Sequence, residues 1–313
     1  MTMRTKPFWL LIGLTLSFPI QVSAQKTRPP IIDMHLHAQD LWAEPEQDAG
    51  DAFGPVFGQR KLGILAAKST EDLQQKTLAA MDQYNVIMAV VSGPHAESYR
   101  SNRPSRILAS PLLFGVDEPV NSLRDAFNSG RYQALAEFAP QYSGFAPNAA
   151  ELDPYFALAE ELDIPVGIHM GPGPPGTANS VFPNYRMVLS NALLLEDELV
   201  KHPKLRLYVM HAGWPLLDDM VGLMHAFPNV YVDVAVINWY LPTEEFYSYF
   251  QRLVDAGFSK RIMFGSDQMV WPGAIGRAIE TVESAPFLSK EQRRDIMCRN
   301  AMTFLRLDET VCK

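Results

Sequence analysis

Five side chains in this sequence, His35, His37, His169, His211 and Asp267, carry donor types that bind divalent cations, and each closes or follows an apolar run. His35 and His37 stand at i and i+2 in Ile31-Ile32-Asp33-Met34-His35-Leu36-His37. Side chains two apart on a strand project to one side, so both imidazoles can reach one ion. His169 ends Pro165-Val166-Gly167-Ile168-His169, His211 ends Tyr208-Val209-Met210-His211, and Asp267 ends Met263-Phe264-Gly265-Ser266-Asp267. A lone histidine at a strand end is more often a hydrogen-bonded core or loop residue than a ligand. Five such residues at matching positions read jointly as a metal site. Neutral imidazole and carboxylate suit Zn2+, with Mn2+ as the alternative, and an open coordination position admits a water whose pKa falls towards ~7.

The elements that must position these groups are short apolar runs at 31–35, 86–91, 107–114, 134–138, 165–169, 205–211, 230–236 and 262–265. Several are apolar on both faces, as parallel strands covered by helices are. Between them lie stretches of helical period at 70–84, 184–201, 215–226 and 244–256. Another opens with Asp153 as N-cap and Pro154 at the first helical position, placing Phe156, Ala159 and Leu162 on one side. Strand and helix repeated eight times predict a (β/α)8 TIM barrel, whose active sites form at the C-terminal ends of the strands. A doubly wound open sheet is the runner-up; it would normally bring a Gly-rich phosphate loop after its first strand, and this chain has none.

Asp33-Met34-His35-Leu36-His37, Ile164-Pro165-Val166-Gly167-Ile168-His169-Met170-Gly171, Val209-Met210-His211-Ala212-Gly213-Trp214-Pro215 and Phe264-Gly265-Ser266-Asp267 resemble motifs of the amidohydrolase superfamily. Within it the resemblance is to the amidohydrolase 2 group, which includes aminocarboxymuconate semialdehyde decarboxylase, resorcylate decarboxylases, and sugar-acid and pyrone lactonases. By that resemblance His35, His37, His169 and Asp267 hold a divalent cation, usually zinc, and His211 lies beside the bound water or substrate. The expected chemistry is attack of an activated water on an electrophilic carbonyl. Asp267 carries the proton to the leaving group, and His211 polarises the carbonyl or orients the water. Glu137, in Leu135-Ala136-Glu137-Phe138, resembles the glutamate that bridges two metals in TatD-type hydrolases. Two readings stay open: Glu137 bridges and His211 becomes a second-metal ligand, or Glu137 is an interior carboxylate paired with Arg or hydrogen-bonded nearby. No lysine occupies that strand end, so a carbamylated-lysine bridge is not expected.

Around the site, the long first loop, 38–68, reads as a lid through Phe53-Gly54-Pro55-Val56-Phe57, and Met170-Gly171-Pro172-Gly173-Pro174-Pro175-Gly176 as a stiff wall. Trp214, Trp239, Tyr240 and Trp271 at three loop mouths either line a flat apolar substrate site or pack loop on loop. His95 and Arg186 read as solvent-facing. His202 and His225 sit near helix ends on the far side and are set aside.

Arg4 and Lys6, the apolar run Phe8 to Phe18 and the ending Val22-Ser23-Ala24 read as a cleaved signal peptide, 1–24. The run is well short of the ~20 residues of a membrane span, so no stable insertion is expected after cleavage. Residues 25–313 then form one barrel domain in a periplasmic or secreted protein. Losing Arg4 and Lys6 makes the mature chain more acidic than the −8 of the whole sequence, a poor match for nucleic acid. Cys298 and Cys312 either pair or remain isolated thiols. The function expected is a metal-dependent hydrolase of an ester, lactone or amide in a small organic, aromatic or otherwise flat, substrate. A non-oxidative decarboxylase is the alternative and a non-catalytic metal-binding barrel the third reading. A homodimer is compatible with the group, although no interface is legible.

Overall fold

The computed structural model describes residues 1–2, 28–53 and 61–313. All but the first two residues of the expected leader, and residues 54–57 of the expected lid, lie outside the described residues. Eight parallel strands appear: β1 (Ile31–His37), β2 (Val86–Ser92), β3 (Ile107–Ser110), β4 (Leu135–Phe138), β5 (Val166–His169), β6 (Leu207–Met210), β7 (Tyr231–Asp233) and β8 (Ile262–Met263). They pair in chain order as β1-β2-β3 and β4 through β8. Two seams close the ring. Between β3 and β4, Leu113 N donates to Glu137 O (3.0 Å) and Ala139 N to Leu113 O (2.7 Å). Between β8 and β1, Met34 N donates to Phe264 O (2.9 Å) and Asp267 N to His35 O (2.7 Å). This is the expected (β/α)8 barrel, and the open sheet is excluded by the second seam.

Several strands are shorter than the apolar runs that foretold them, and at β3, β6 and β8 this is where the chain turns off to build the mouth. Pro111 has no N–H to continue β3. After Met210 the backbone enters the left-handed region at His211 (φ 58°) and Ala212 (φ 49°). After β8 the amides serve β1 and the C-terminal segment, with Phe264 N donating to Ile296 O (2.9 Å).

Helices cover the outside, among them Thr70–Gln83, capped by Ser69 Oγ accepting from Asp72 N (3.1 Å), then Leu217–Ala226, Thr243–Leu253 and Gly273–Glu283. Two expectations need correction. Asp153 is the first residue of the helix Asp153–Glu161 rather than its cap, which is Leu152; its carboxylate is directed instead to Lys201 and His202. The stretch 184–201 is not one helix but the 3-10 turns Met187–Ser190 and Ala192–Leu195 and the helix Glu196–Lys201. Asn191, extended at ψ 122°, breaks it, its side chain accepting from Leu193 N (2.9 Å).

One core lies between sheet and helices, and a second joins Ile32, Met34, Val90, Tyr208, Met210 and Met263 to Phe304 and Leu305 of the C-terminal segment. Tyr208 donates its hydroxyl proton to Met34 O (2.9 Å). Gly167 is required beside it, because a Cβ there would strike the phenol and approach Met210 Cε to 2.7 Å. Cys298 and Cys312 belong to this second core and are disulfide-bonded, which settles that alternative.

Candidate metal centre

β1 delivers His35 and His37 with their rings 5.1 Å apart, at the end of the strand bonded to β8. Asp33 staples that junction, one carboxylate oxygen accepting from His35 N (3.0 Å) and Ser266 N (2.9 Å). Burial pushes the Asp33 carboxyl up to about 7. Gln268 clasps His37 from the other side: its oxygen accepts His37 N (3.0 Å) and its amide donates to His37 O (2.7 Å). Gly265 leaves the room that His35 needs, since a Cβ there would sit 3.0 Å from His35 Cβ and from Ala235 Cβ.

Three of the four histidines are anchored through Nδ1. His35 Nδ1 meets Asp233 Oδ2 at 3.2 Å, His37 Nδ1 meets Ser92 Oγ at 3.1 Å, and His211 Nδ1 donates to Ala235 O at 3.1 Å. Such partners fix the tautomer and direct Nε2 at the shared space. His169 is turned the other way: its Nδ1 faces Glu137 Oε1 in a short contact and lies 3.3 Å from His211 Nε2. The Asp267 Oδ1 oxygen is 2.9 Å from His37 Nε2 and 3.9 Å from His35 Nε2. The second oxygen of Glu137 lies 3.5 Å from His37 Nε2 and 3.8 Å from His35 Nε2. All six sequence-derived residues therefore converge, and all are buried. Glu137 stands between His169 and the β1 pair rather than with an arginine.

Donor atoms of His35, His37 and Asp267 lie within 4.8 Å of one another, as do those of His35, Glu137 and His211. His35 Nε2, His169 Nε2 and Asp267 Oδ1 are buried and make no hydrogen bond. Polar atoms are rarely buried in this way unless something satisfies them. Electrostatics point the same way. Burial alone would lower His35, yet Asp267, Asp233 and Glu137 hold its imidazole well above the ordinary value. Burial would raise Glu137, but His169 and His35 keep it well below the carboxylate range; Asp267 is likewise lowered by His35 and His37. His211 goes down to about 4, through burial and then the neighbouring His169 and His35, and so stays neutral. Carboxylates gathered around imidazoles in a dry site demand a cation, and this donor set fits a divalent one.

A family model described as Amidohydrolase matches residues 32–307. The chain belongs to the amidohydrolase family. Among proteins with curated descriptions, none matches this amidohydrolase. Its fold is similar to an uncharacterised TIM-barrel protein from Bordetella bronchiseptica, with 16% identity, 88% of this chain and 98% of that one covered, and a TM-score of 0.66. It is also similar to a probable 2-pyrone-4,6-dicarboxylic acid hydrolase from Acinetobacter baumannii with citric acid bound (14%, 88% and 99%, TM-score 0.60). A third similar structure is a dihydroxybenzoic acid decarboxylase from a Polaromonas species with bound manganese and the inhibitor 2-nitroresorcinol (16%, 89% and 97%, TM-score 0.58). At these identities the likeness speaks for the barrel.

The surroundings of this amidohydrolase's cluster divide in two. Trp239 and Trp271 are buried in loop-to-loop packing with Trp42, Phe53 and Tyr240; Trp239 Nε1 donates to Ser266 O (2.7 Å) and Trp271 Nε1 to Gln47 O (3.1 Å). Trp214 Nε1 reaches Glu245 (3.3 Å). On the other side Phe114, Tyr142, Phe182 and Tyr185 form an aromatic group that the sequence did not reveal, and Tyr142 packs edge-on to His169 at 5.2 Å. Tyr185 Oη accepts from Gly173 N (2.8 Å), holding the Gly/Pro loop against it. His95 pairs with Asp40 (2.8 Å), and exposed Arg186 donates to Pro183 O (2.9 Å) and Tyr185 O (2.7 Å).

Asp233, Gln268 and Ser92 are positioning residues missed. Asp233 does most, since its other oxygen also accepts His211 N (2.8 Å) and Ala235 N (3.0 Å). An ionisable residue inside the otherwise apolar run 230–236 was its only signal. Asp233→Asn is expected to weaken metal binding and activity by about 10–100-fold, read by chelator competition and kcat/KM. Wild-type metal affinity in that variant would show that the Asp233 carboxylate does not matter to His35.

Proposed function

We propose that this amidohydrolase is a metal-dependent hydrolase acting on an ester, lactone or amide bond of a small organic substrate. His35, His37, His169 and Asp267 hold the metal, Glu137 and His211 being available for a second ion. Zn2+ is the ion proposed first and Mn2+ the alternative, from imidazole and carboxylate donors. Such an ion supplies Lewis acidity and lowers the pKa of a water towards ~7. The chain's own contribution starts at His211, whose Nδ1 proton is committed to Ala235 O, leaving Nε2 as a neutral base or hydrogen-bond acceptor within the cluster. Asp267 accepts the proton of the attacking water and returns it to the leaving group. Burial keeps bulk water from competing with these contacts.

One observation carries the choice of reaction. Among the described residues the cluster's carboxylates make ion-pair contacts with histidines alone, no lysine or arginine among them. A decarboxylase normally needs a cation placed for the substrate carboxylate, and Arg186 is tied to its own loop. The second reading, non-oxidative decarboxylation, is favoured by the aromatic group beside His169, which suits a flat ring, and by the decarboxylase among the similar structures. A non-catalytic barrel would be expected to have lost a donor, and none is missing. The metal-loaded protein should release acid from ester, lactone or amide panels and lose that activity on exhaustive chelation. Carbon dioxide from aromatic acids without hydrolysis would replace the first reading by the second.

Export of the mature chain, 25–313, is part of the proposal. The Cys298–Cys312 bond supports it, since disulfides persist in oxidising compartments. Among the described residues no helix is long and apolar enough to cross a membrane.

A further inference from the structure

A second group of donors lies away from the strand ends, where the helix Asp153–Glu161 meets the helix Glu196–Lys201 on the outer ring. His202 closes the second helix, its N–H donating to Glu198 O (2.8 Å), and at four residues' spacing the two side chains share a face. His202 Nδ1 is 3.4 Å from Glu160 Oε2, and Glu160 is itself fixed by accepting Lys204 N at 2.7 Å. The opposite ring nitrogen, Nε2, faces Asp153 Oδ1 at 3.4 Å and Glu198 Oε2 at 3.7 Å. A carboxylate behind one imidazole nitrogen, with two carboxylate oxygens in front of the other, is the arrangement of a metal-ligating histidine. Bonds of ~2.0–2.2 Å in tetrahedral geometry separate donors by about 3.3–3.6 Å, close to the spacings found.

Glu198 points to a ligand independently of that geometry. Its side chain is fully buried and its Oε2 accepts no hydrogen bond, although it is aimed into the group. Its Oε1 accepts from Lys201 Nζ at 2.7 Å, and the same ammonium lies 3.3 Å from Asp153 Oδ1. Three carboxylates thus face one ammonium and one imidazole. Lys201 is half-exposed and can swing into solvent when a better cation arrives.

We propose that Asp153 Oδ1, Glu198 Oε2 and His202 Nε2 form a peripheral site for a divalent transition-metal ion, with Glu160 as the positioning residue and Lys201 as the resident counter-ion that the metal displaces. Occupancy cross-links two helices contributed by different βα units, so the ion stabilises the barrel wall without entering the reaction.

The test is Zn2+ binding by the full mature chain, followed by equilibrium dialysis and thermal unfolding. Wild type should bind one Zn2+ beyond those of the strand-end cluster, with a rise in Tm as it binds. His202→Gln and Glu198→Gln should each lose that ion and its Tm increment while keeping turnover at limiting zinc. Lys201→Met keeps all three ligands and removes the competitor, so it should bind the extra ion at least about threefold more tightly. Equal stoichiometry in wild type and His202→Gln overturns the proposal. If the ligand variants fail to fold, Lys201→Met decides alone: an affinity equal to wild type, or no extra ion in either, also overturns it.

Discussion

Asp267→Ala is expected to abolish stoichiometric metal and to lower kcat/KM by at least about a thousandfold, because in the proposed function Asp267 is ligand and proton carrier together. Its Oδ1 is buried, makes no hydrogen bond, and lies nearer His37 Nε2 than Glu137 does. Its position is held by the backbone, Asp267 N donating to His35 O across the closing seam. The residue also adopts φ 48°, unusual for a non-glycine, and holding it there costs about 1–3 kcal/mol. Asp267→Asn separates chemistry from shape, since it keeps the volume and the backbone. It should lose activity and metal as the alanine variant does, while unfolding within a few degrees of wild type. Near-normal turnover by the asparagine variant would remove Asp267 from both roles.

The second large effect concerns His211 and Glu137. With one metal, His211→Ala should lower kcat by about 10²–10⁴-fold, the range of a lost acid–base group, while keeping the ion. With two, elemental analysis should find two ions in wild type and one in the variant. Glu137 distinguishes these outcomes structurally: one oxygen contacts His169 and the other faces His35 and His37. Glu137→Gln should therefore cost metal in the binuclear case and mainly rate in the mononuclear one. Unchanged kinetics in both variants would confine the chemistry to His35, His37, His169 and Asp267.

The strand-end histidines were legible because each interrupts an apolar run at the point where a barrel turns to its mouth, a pattern that local sequence carries whole. Asp233 and Gln268 were not, since their value lies in partners far along the chain: Asp233 reaches back to His35, and Gln268 to His37. The tryptophans left two readings open because bulk and flatness serve a substrate and a neighbouring loop equally; burial of Trp239 and Trp271 favours the loops. The Asp-Pro pair predicts a cap at Asp153, yet its side chain is drawn away by Lys201 and His202 from the next helix. For the same reason His202, at a helix end, gave no sign of the carboxylates assembled around it.

The seam between β1 and β8 ties the beginning of the barrel to its end, Asp33 receiving a hydrogen bond from Ser266 across 233 residues. His35 and His37 stand on one side of it and Asp267 on the other. A chain that stops before β8 lacks Asp267 and cannot assemble these three donors. Pairing between strands so far apart in sequence is intrinsically slow. In the proposed reading, a cation held by His35, His37 and Asp267 therefore requires the β1–β8 seam to be shut.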